Sequence, residues 1–239
     1  MKKSLGQIPG KTPKAPRPRG RPRSFDREAA LDCAMEVFWQ KGFEGTSLSD
    51  LTKAMGINPP SLYAAFGDKE HLFLETVERY QAKRGPATCP FTDQPTARGA
   101  VEQLLTWTVK ELCSSCQPRG CMMVMTSTTT TASSKHLQAA LAERRAASRE
   151  RLKARIDQGA REGELPAGTD TGALADFYAT VLTGMSLQAR EGASRKSLLA
   201  TVEAAMRAWP RGTKRAARPT KKKVNHANGP GTKQDASMA

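Results

Sequence analysis

Between Ser47 and Phe66 the chain reads SLSDLTKAMGINPPSLYAAF, and few backbones fit that string. Ser47 and Asp50 have the spacing of a capping box, in which the hydroxyl takes the Asp50 amide and the carboxylate answers the Ser47 amide. A helix therefore opens there, and it closes at Met55-Gly56, where glycine tolerates a left-handed turn. Asn58 caps the next helix, with Pro59 and Pro60 in its first turn, where their missing N–H groups have no helical acceptor to lose. Leu48, Leu51 and Met55 form the inner side of the first helix, Ile57 plugs the turn, and Leu62 and Phe66 anchor the second. Two short helices crossing at a tight turn have helix-turn-helix geometry. Pro59, Pro60, Ser61, Tyr63 and Ala64 are then left near a free face able to enter a major groove, N-terminal end first. Turns of this kind also occur in small three-helix units that bind nothing, which is the plain alternative.

The flanking sequence has the same period. From 25 to 210 the apolar spacing is helical, with no convincing period-two strand, so the spacing predicts an all-α body. A first helix is expected at 26–41, with Ala30, Leu31, Ala34, Val37 and Phe38 on one face and a stop at Gly42. Asp68 caps a fourth at 69–84, burying Leu72, Phe73, Val77 and Tyr80. A proline- and glycine-bearing stretch at 85–95 reads as a connector between two units. Further helices are expected at 97–113, 120–131, 135–162, 170–191 and 194–209. The division that follows is a basic arm at 1–23, a DNA-binding unit at 24–84 with its helix-turn-helix at 47–66, a second helical unit at 85–210, and a basic tail at 211–239.

Charge supports this division. The net charge is +15, yet it is confined to the two ends. Residues 1–23 hold eight Lys or Arg and no acid, and residues 211–239 hold eight against Asp235. The body between them is formally neutral. Both ends are too poor in apolar residues to bury a core and are read as disordered. Basic arms beside a neutral body point to a polyanion, and nucleic acid fits better than a membrane because no amphipathic helix accompanies the charge. A merely solubilising tail is the alternative, above all for the C-terminal one. No long apolar run is present, so neither a membrane span nor secretion is expected. Five cysteines, an odd number, fit reduced thiols in a cytoplasm better than a disulfide framework.

Gly42-Phe43-Glu44-Gly45-Thr46-Ser47-Leu48, Met55-Gly56-Ile57 and Ser61-Leu62-Tyr63-Ala64-Ala65-Phe66-Gly67-Asp68-Lys69-Glu70-His71-Leu72 together resemble the DNA-binding domain of the TetR/AcrR family of transcriptional regulators, over about residues 24–84. The resemblance implies that Thr46 and Ser47 touch phosphates, that Tyr63 and Lys69 grip the backbone, and that Asn58 to Ser61 face bases. Helix N-termini and a lysine suit phosphates on physical grounds as well. Pro59-Pro60 and Ala64-Ala65 depart from the usual pattern, and such residues make apolar contacts, so hydrogen-bonded readout is thin. Part of the specificity then falls to DNA shape. Arg17-Pro18-Arg19-Gly20-Arg21-Pro22-Arg23 is similar to an AT-hook, whose arginines lie in a narrow minor groove, so Arg19, Arg21 and Arg23 join the candidate DNA contacts.

The same resemblance implies that the second unit dimerises and encloses an effector cavity, and Pro118-Arg119-Gly120-Cys121-Met122-Met123-Val124 resembles a motif in one branch of such regulators. Trp107, Met122, Met123, Met125 and Phe177 are the candidate lining for an apolar or aromatic compound; plain core is the alternative. The apolar stripes of 170–191 and 194–209 are broad for one domain's core, so the dimer interface is expected there, at Val181 and Val202 among others. Cys113, Cys116 and Cys121 are candidate redox or electrophile-sensing thiols, set against inert ones, and their spacing lacks the second pair that a zinc site needs. No catalytic constellation, metal or cofactor is expected. The expectation is a cytoplasmic, nucleoid-associated, homodimeric repressor that leaves its double-stranded operator when an unknown small molecule binds. An activator or dual regulator, and a non-specific architectural DNA-binding protein, are the rival readings.

Overall fold

Asp26 accepts hydrogen bonds from the amides of Glu28 and Ala29 at 2.9 and 3.2 Å, and this cap starts α1 (Arg27–Lys41). The computed structural model describes residues 25–84, 88–114, 118–129 and 134–211, and every element in them is helical. The arm with Arg19, Arg21 and Arg23, Cys116 and the tail from 212 lie outside the described residues. Helix boundaries fall within about two residues of those the spacing predicts. α2 (Leu48–Met55) and α3 (Pro59–Phe66) flank Gly56, whose φ of 66° is the left-handed turn glycine is suited to. α4 (Lys69–Arg84) then returns along α1.

α1 is buried on more than one side. Met35 and Trp39 are buried along with Ala30, Leu31, Ala34 and Phe38, whereas Val37 is half-exposed. The reason is that α1 packs on α2 and α4 and also on α6 (Met122–Thr129), so one amphipathic stripe does not describe it. Phe38 meets Phe73 edge-on at 5.2 Å, and Trp39 meets Tyr80 edge-on at 5.1 Å. Around the rim, Arg79 and Lys83 of α4 hold Asp32 of α1 at 2.8 and 2.7 Å. Such partly exposed pairs add little energy each, but they restrict how the helices slide.

The second bundle comprises α5 (Ala97–Leu112), α6 (Met122–Thr129), α7 (Lys135–Arg161), α8 (Thr171–Arg190) and α9 (Arg195–Arg207). Its core gathers Phe91, Leu105, Leu152, Ile156, Tyr178 and Leu198, with the Tyr178 hydroxyl donating to the Ala205 carbonyl at 3.2 Å. Val202, expected at a dimer interface, is buried in this core, because α9 turns that face toward α5 and α8. The two units also share apolar contacts. Met122 and Met123 of α6 and Leu137 and Leu141 of α7 belong to the cluster built on α1 and α4. The Trp39 indole donates to the Gly120 carbonyl at 3.0 Å inside the same seam. No described helix is long and apolar enough to cross a membrane.

Close approach of α7 to the start of α5 yields a stability prediction. A Cβ added at Gly159 would lie 2.4 Å from the Ala97 Cβ, and Ala97 is fully buried, with its amide held by Glu164 at 2.6 Å. In an open helix Gly→Ala gains about 1 kcal/mol, but overpacking here costs about 1–3 kcal/mol. Gly159→Ala should therefore lower the urea midpoint. An unchanged or raised midpoint would show that α5 can move aside freely.

Candidate nucleic-acid interface and cavity

Three consecutive caps set the interface. Ser47 Oγ accepts from the Asp50 amide at 3.1 Å while Asp50 Oδ2 accepts from the Ser47 amide at 3.0 Å, completing the capping box. Lys41 Nζ at 2.6 Å and these Ser47 bonds hold the Asp50 carboxyl well below the usual carboxylate range, so it stays ionised where α2 begins. Asn58 Oδ1 accepts from the Ser61 amide at 2.9 Å, with Pro59 and Pro60 in the first turn of α3. Asp68 Oδ1 accepts from the His71 amide at 2.8 Å, and the His71 bonds lower the Asp68 pKa.

Leu62 and Phe66 are buried, so α3 has one fixed inner side. Its other side is open: Asn58, Pro59, Pro60, Tyr63 and Ala64 are exposed and Ser61 is half-exposed. Tyr63 stands 48% exposed, an uncommon position for a large ring with no partner to cover it. Ser47 is exposed at the start of α2. Lys69 is half-buried, its ammonium 4.3 Å over the Phe43 ring, and burial lowers its pKa against the raising influence of Glu44 and Glu70. Thr46 is placed differently from its expected role. Its hydroxyl is buried and donates to the Gly42 carbonyl at 2.6 Å, so the side chain holds the turn before α2 and does not face a phosphate.

One positioning residue escapes a reading of the sequence. Arg27 Nη2 donates to the Ala65 carbonyl at 3.2 Å and pairs with Glu75 at 2.7 Å, and its guanidinium lies 4.4 Å over the Phe66 ring. It thus pins the end of α3 to both α1 and α4. Its partners are 38 and 48 residues away in sequence, beyond any local signal.

A cavity of about 180 Å³ opens between α4, α5, α6, α7 and α8. Trp107 and Met123 line it as the sequence reading expects, together with Tyr80, Leu104, Leu182 and Cys121. Met122, Met125 and Phe177 do not. Met122 points the other way, fully buried in the core shared with α1 and α4; Met125 is buried next to Gly120; Phe177 is 41% exposed on the outer face of α8. Tyr80 and Cys121 hydrogen-bond, and burial pushes the Tyr80 phenol far up. Cys113 is half-buried beside a separate groove with Lys110 and Arg195 and is not among the residues that line this cavity. Among the described residues no three His, Cys, Asp or Glu side chains stand together as metal ligands would. A wider groove of about 590 Å³ by Glu203, Arg207 and Arg211 is lined mostly by charged side chains, so the smaller apolar cavity is the better ligand site.

Residues 30–76 match the family model for bacterial regulatory proteins of the tetR family, and residues 102–206 match that for a tetracyclin repressor-like C-terminal domain. The chain is 37% identical over 195 residues to the HTH-type transcriptional repressor ComR of Escherichia coli (strain K12), spanning 80% of this chain and 92% of that protein. It is 34% identical over 191 residues to the HTH-type transcriptional repressor BdcR of the same organism, with the same coverage of 80% and 92%. Among solved structures it resembles a cysteine mutant of the TetR family transcriptional regulator CifR complexed with 26-base-pair double-strand operator DNA. Identity there is 47%, over 80% of this chain and 100% of that one, with a TM-score of 0.77.

Proposed function

The chain belongs to the TetR family of bacterial regulatory proteins, and from that premise we propose that it is a homodimeric, sequence-specific transcriptional repressor whose operator grip is released by a small molecule in the 180 Å³ cavity. It works by binding alone, in the cytoplasm on chromosomal DNA, with no catalysed step. Asn58, Pro59, Pro60 and Ser61 face bases, while Ser47, Tyr63 and Lys69 hold phosphates. Of the candidate thiols among the described residues, Cys121 is the one that a compound in the cavity would meet.

A single observation carries the release mechanism. α4 begins at Lys69, next to α3, and ends at Tyr80 and Arg84, which line the cavity. Sixteen residues of helix make a rod of about 24 Å. A ligand that pushes on one end of this rod moves the helix-turn-helix at the other, and two protomers then no longer fit successive major grooves. Trp39, bonded to Gly120 in the seam, ties α1 to the start of α6, so the motion is shared by the whole DNA-binding unit.

Two substitutions on α3 test the division of roles. Tyr63→Phe removes one phosphate hydrogen bond and should weaken operator and random duplex alike, by about tenfold. Ser61→Ala should change the preference among operator variants and leave random-duplex affinity nearly untouched. Fluorescence anisotropy on both duplexes reads the two outcomes. Equal loss of discrimination from both variants would contradict the assignment.

A further inference from the structure

Four arginines border the cavity, and three are engaged. Arg84 faces Glu111 at 3.8 Å and lies 5.8 Å over the Trp39 ring. Arg149 pairs with Glu150 at 2.6 Å and with Asp176. Arg151 lies 5.6 Å over the Phe91 ring. Of these four, half-buried Arg145 is different, because its Nη1 is buried and has no hydrogen-bond partner among the described residues. A guanidinium remains charged throughout the accessible pH range, so it cannot escape this position by losing a proton. Leaving a buried charged donor unmet is among the less favourable arrangements a folded chain holds.

The rest of the wall is mostly apolar, with Glu111 and the side chains of Thr108, Ser148, Thr183 and Ser186 interspersed. Leu104, Trp107, Met123 and Leu182 give a ligand body something to lie against, and Glu111 is already faced by Arg84. We propose that the effector is a small apolar acid whose carboxylate pairs with Arg145 while its hydrocarbon body packs on Trp107 and Met123. This rests on the reading of the cavity as the effector site and adds the chemical class. A carboxylate supplies the acceptor that Nη1 lacks and matches the planar fork of arginine. A neutral compound of the same shape fills the cavity and leaves the cation without a counter-charge. At about 180 Å³ the cavity is smaller than those that hold drug-sized ligands, which suits a one-ring acid.

The test uses the full chain and three probes: phenylacetate, its neutral isostere phenylacetamide, and acetate, which has the charge without the ring. Calorimetry should show phenylacetate binding at least about tenfold more tightly than phenylacetamide, the worth of a charge-assisted hydrogen bond, and acetate not binding. Arg145→Met should abolish the preference for the acid, and Arg145→Lys should keep part of it. Without ligand, Arg145→Met should melt no lower than the parent, since it removes an unmet charge. Equal affinity for acid and amide in the parent, an acid preference that survives Arg145→Met, acetate binding as well as phenylacetate, or no phenylacetate binding at millimolar concentration would each overturn the proposal. Operator release measured in parallel separates it from the reading beneath it. Acid binding that depends on Arg145 but leaves operator affinity unchanged would sink the effector role and keep the anion site, whereas equal release by acid and amide would do the reverse.

Discussion

A chain carrying Phe177→Glu and Leu187→Glu is expected to sediment as a folded monomer and to bind a full operator at least about a hundredfold more weakly than the parent, because a dimer's second half-site engages at high effective concentration. Tyr63, Phe177 and Leu187 are the large apolar side chains left exposed among the described residues, and Tyr63 is on the face proposed to meet DNA. The other two are 41% and 45% exposed on α8, with exposed Thr180 and Gly184 between them. Small side chains beside large ones allow two copies to approach closely and bury both rings and branches. The inner side of α8 is separate: Ala175, Tyr178, Met185 and Ala189 hold it to its own protomer. Charge at 177 and 187 therefore opposes association and spares the fold. Charge at Val202, which is 5% exposed, would unfold the protomer instead. A double variant that remains dimeric and soluble would place the interface elsewhere.

Removal of residues 2–23 is expected to flatten the slope of log affinity against log salt by about 4 to 5 units, with folding unchanged. Eight positive charges leave each subunit. Each phosphate contact contributes about −0.9 to that slope, so two or three contacts per arm, doubled in the dimer, give the stated change. Loss of affinity should be greatest on sites with A·T-rich flanks, where a narrow minor groove concentrates negative potential around Arg19 and Arg21. An unchanged slope and unchanged flank preference in the truncated protein would show that the segment only solvates. The DNA-binding unit itself keeps every cap it needs, since Asp26, Ser47, Asn58 and Asp68 all lie after the cut.

The helices were legible because their punctuation is local. Ser47 with Asp50, Asn58 with the two prolines, and glycine at 42 and 56 each act within a few residues, and the structure places the ends where those signals put them. Contacts across the chain were not legible in this way. Thr46 looks like a residue at the mouth of a helix, but its hydroxyl is taken by the Gly42 carbonyl and turned inward. Met122 and Met123 are neighbours that a helix places about 100° apart. One ends in the core against α1 and α4, while the other also reaches the cavity. Because α6 packs against α1, α4, α7 and α8, apolar character alone does not reveal which residue meets a ligand. Phe177 fails for the opposite reason: a single ring read as lining stands on the outer face of α8. Arg145 carried no signal in the sequence, since a charge on a long polar helix ordinarily marks solvent.

Footprinting of the full-length protein on DNA flanking its own gene, in the presence of about a thousandfold excess of random duplex, decides whether it is a sequence-specific repressor. A sequence-specific repressor discriminates its operator from bulk DNA by at least that factor. One protected, nearly palindromic site with two half-sites is expected, unaffected by the competitor and lost when a cavity ligand is added. Protection that spreads evenly along the fragment and disappears with the competitor would contradict it.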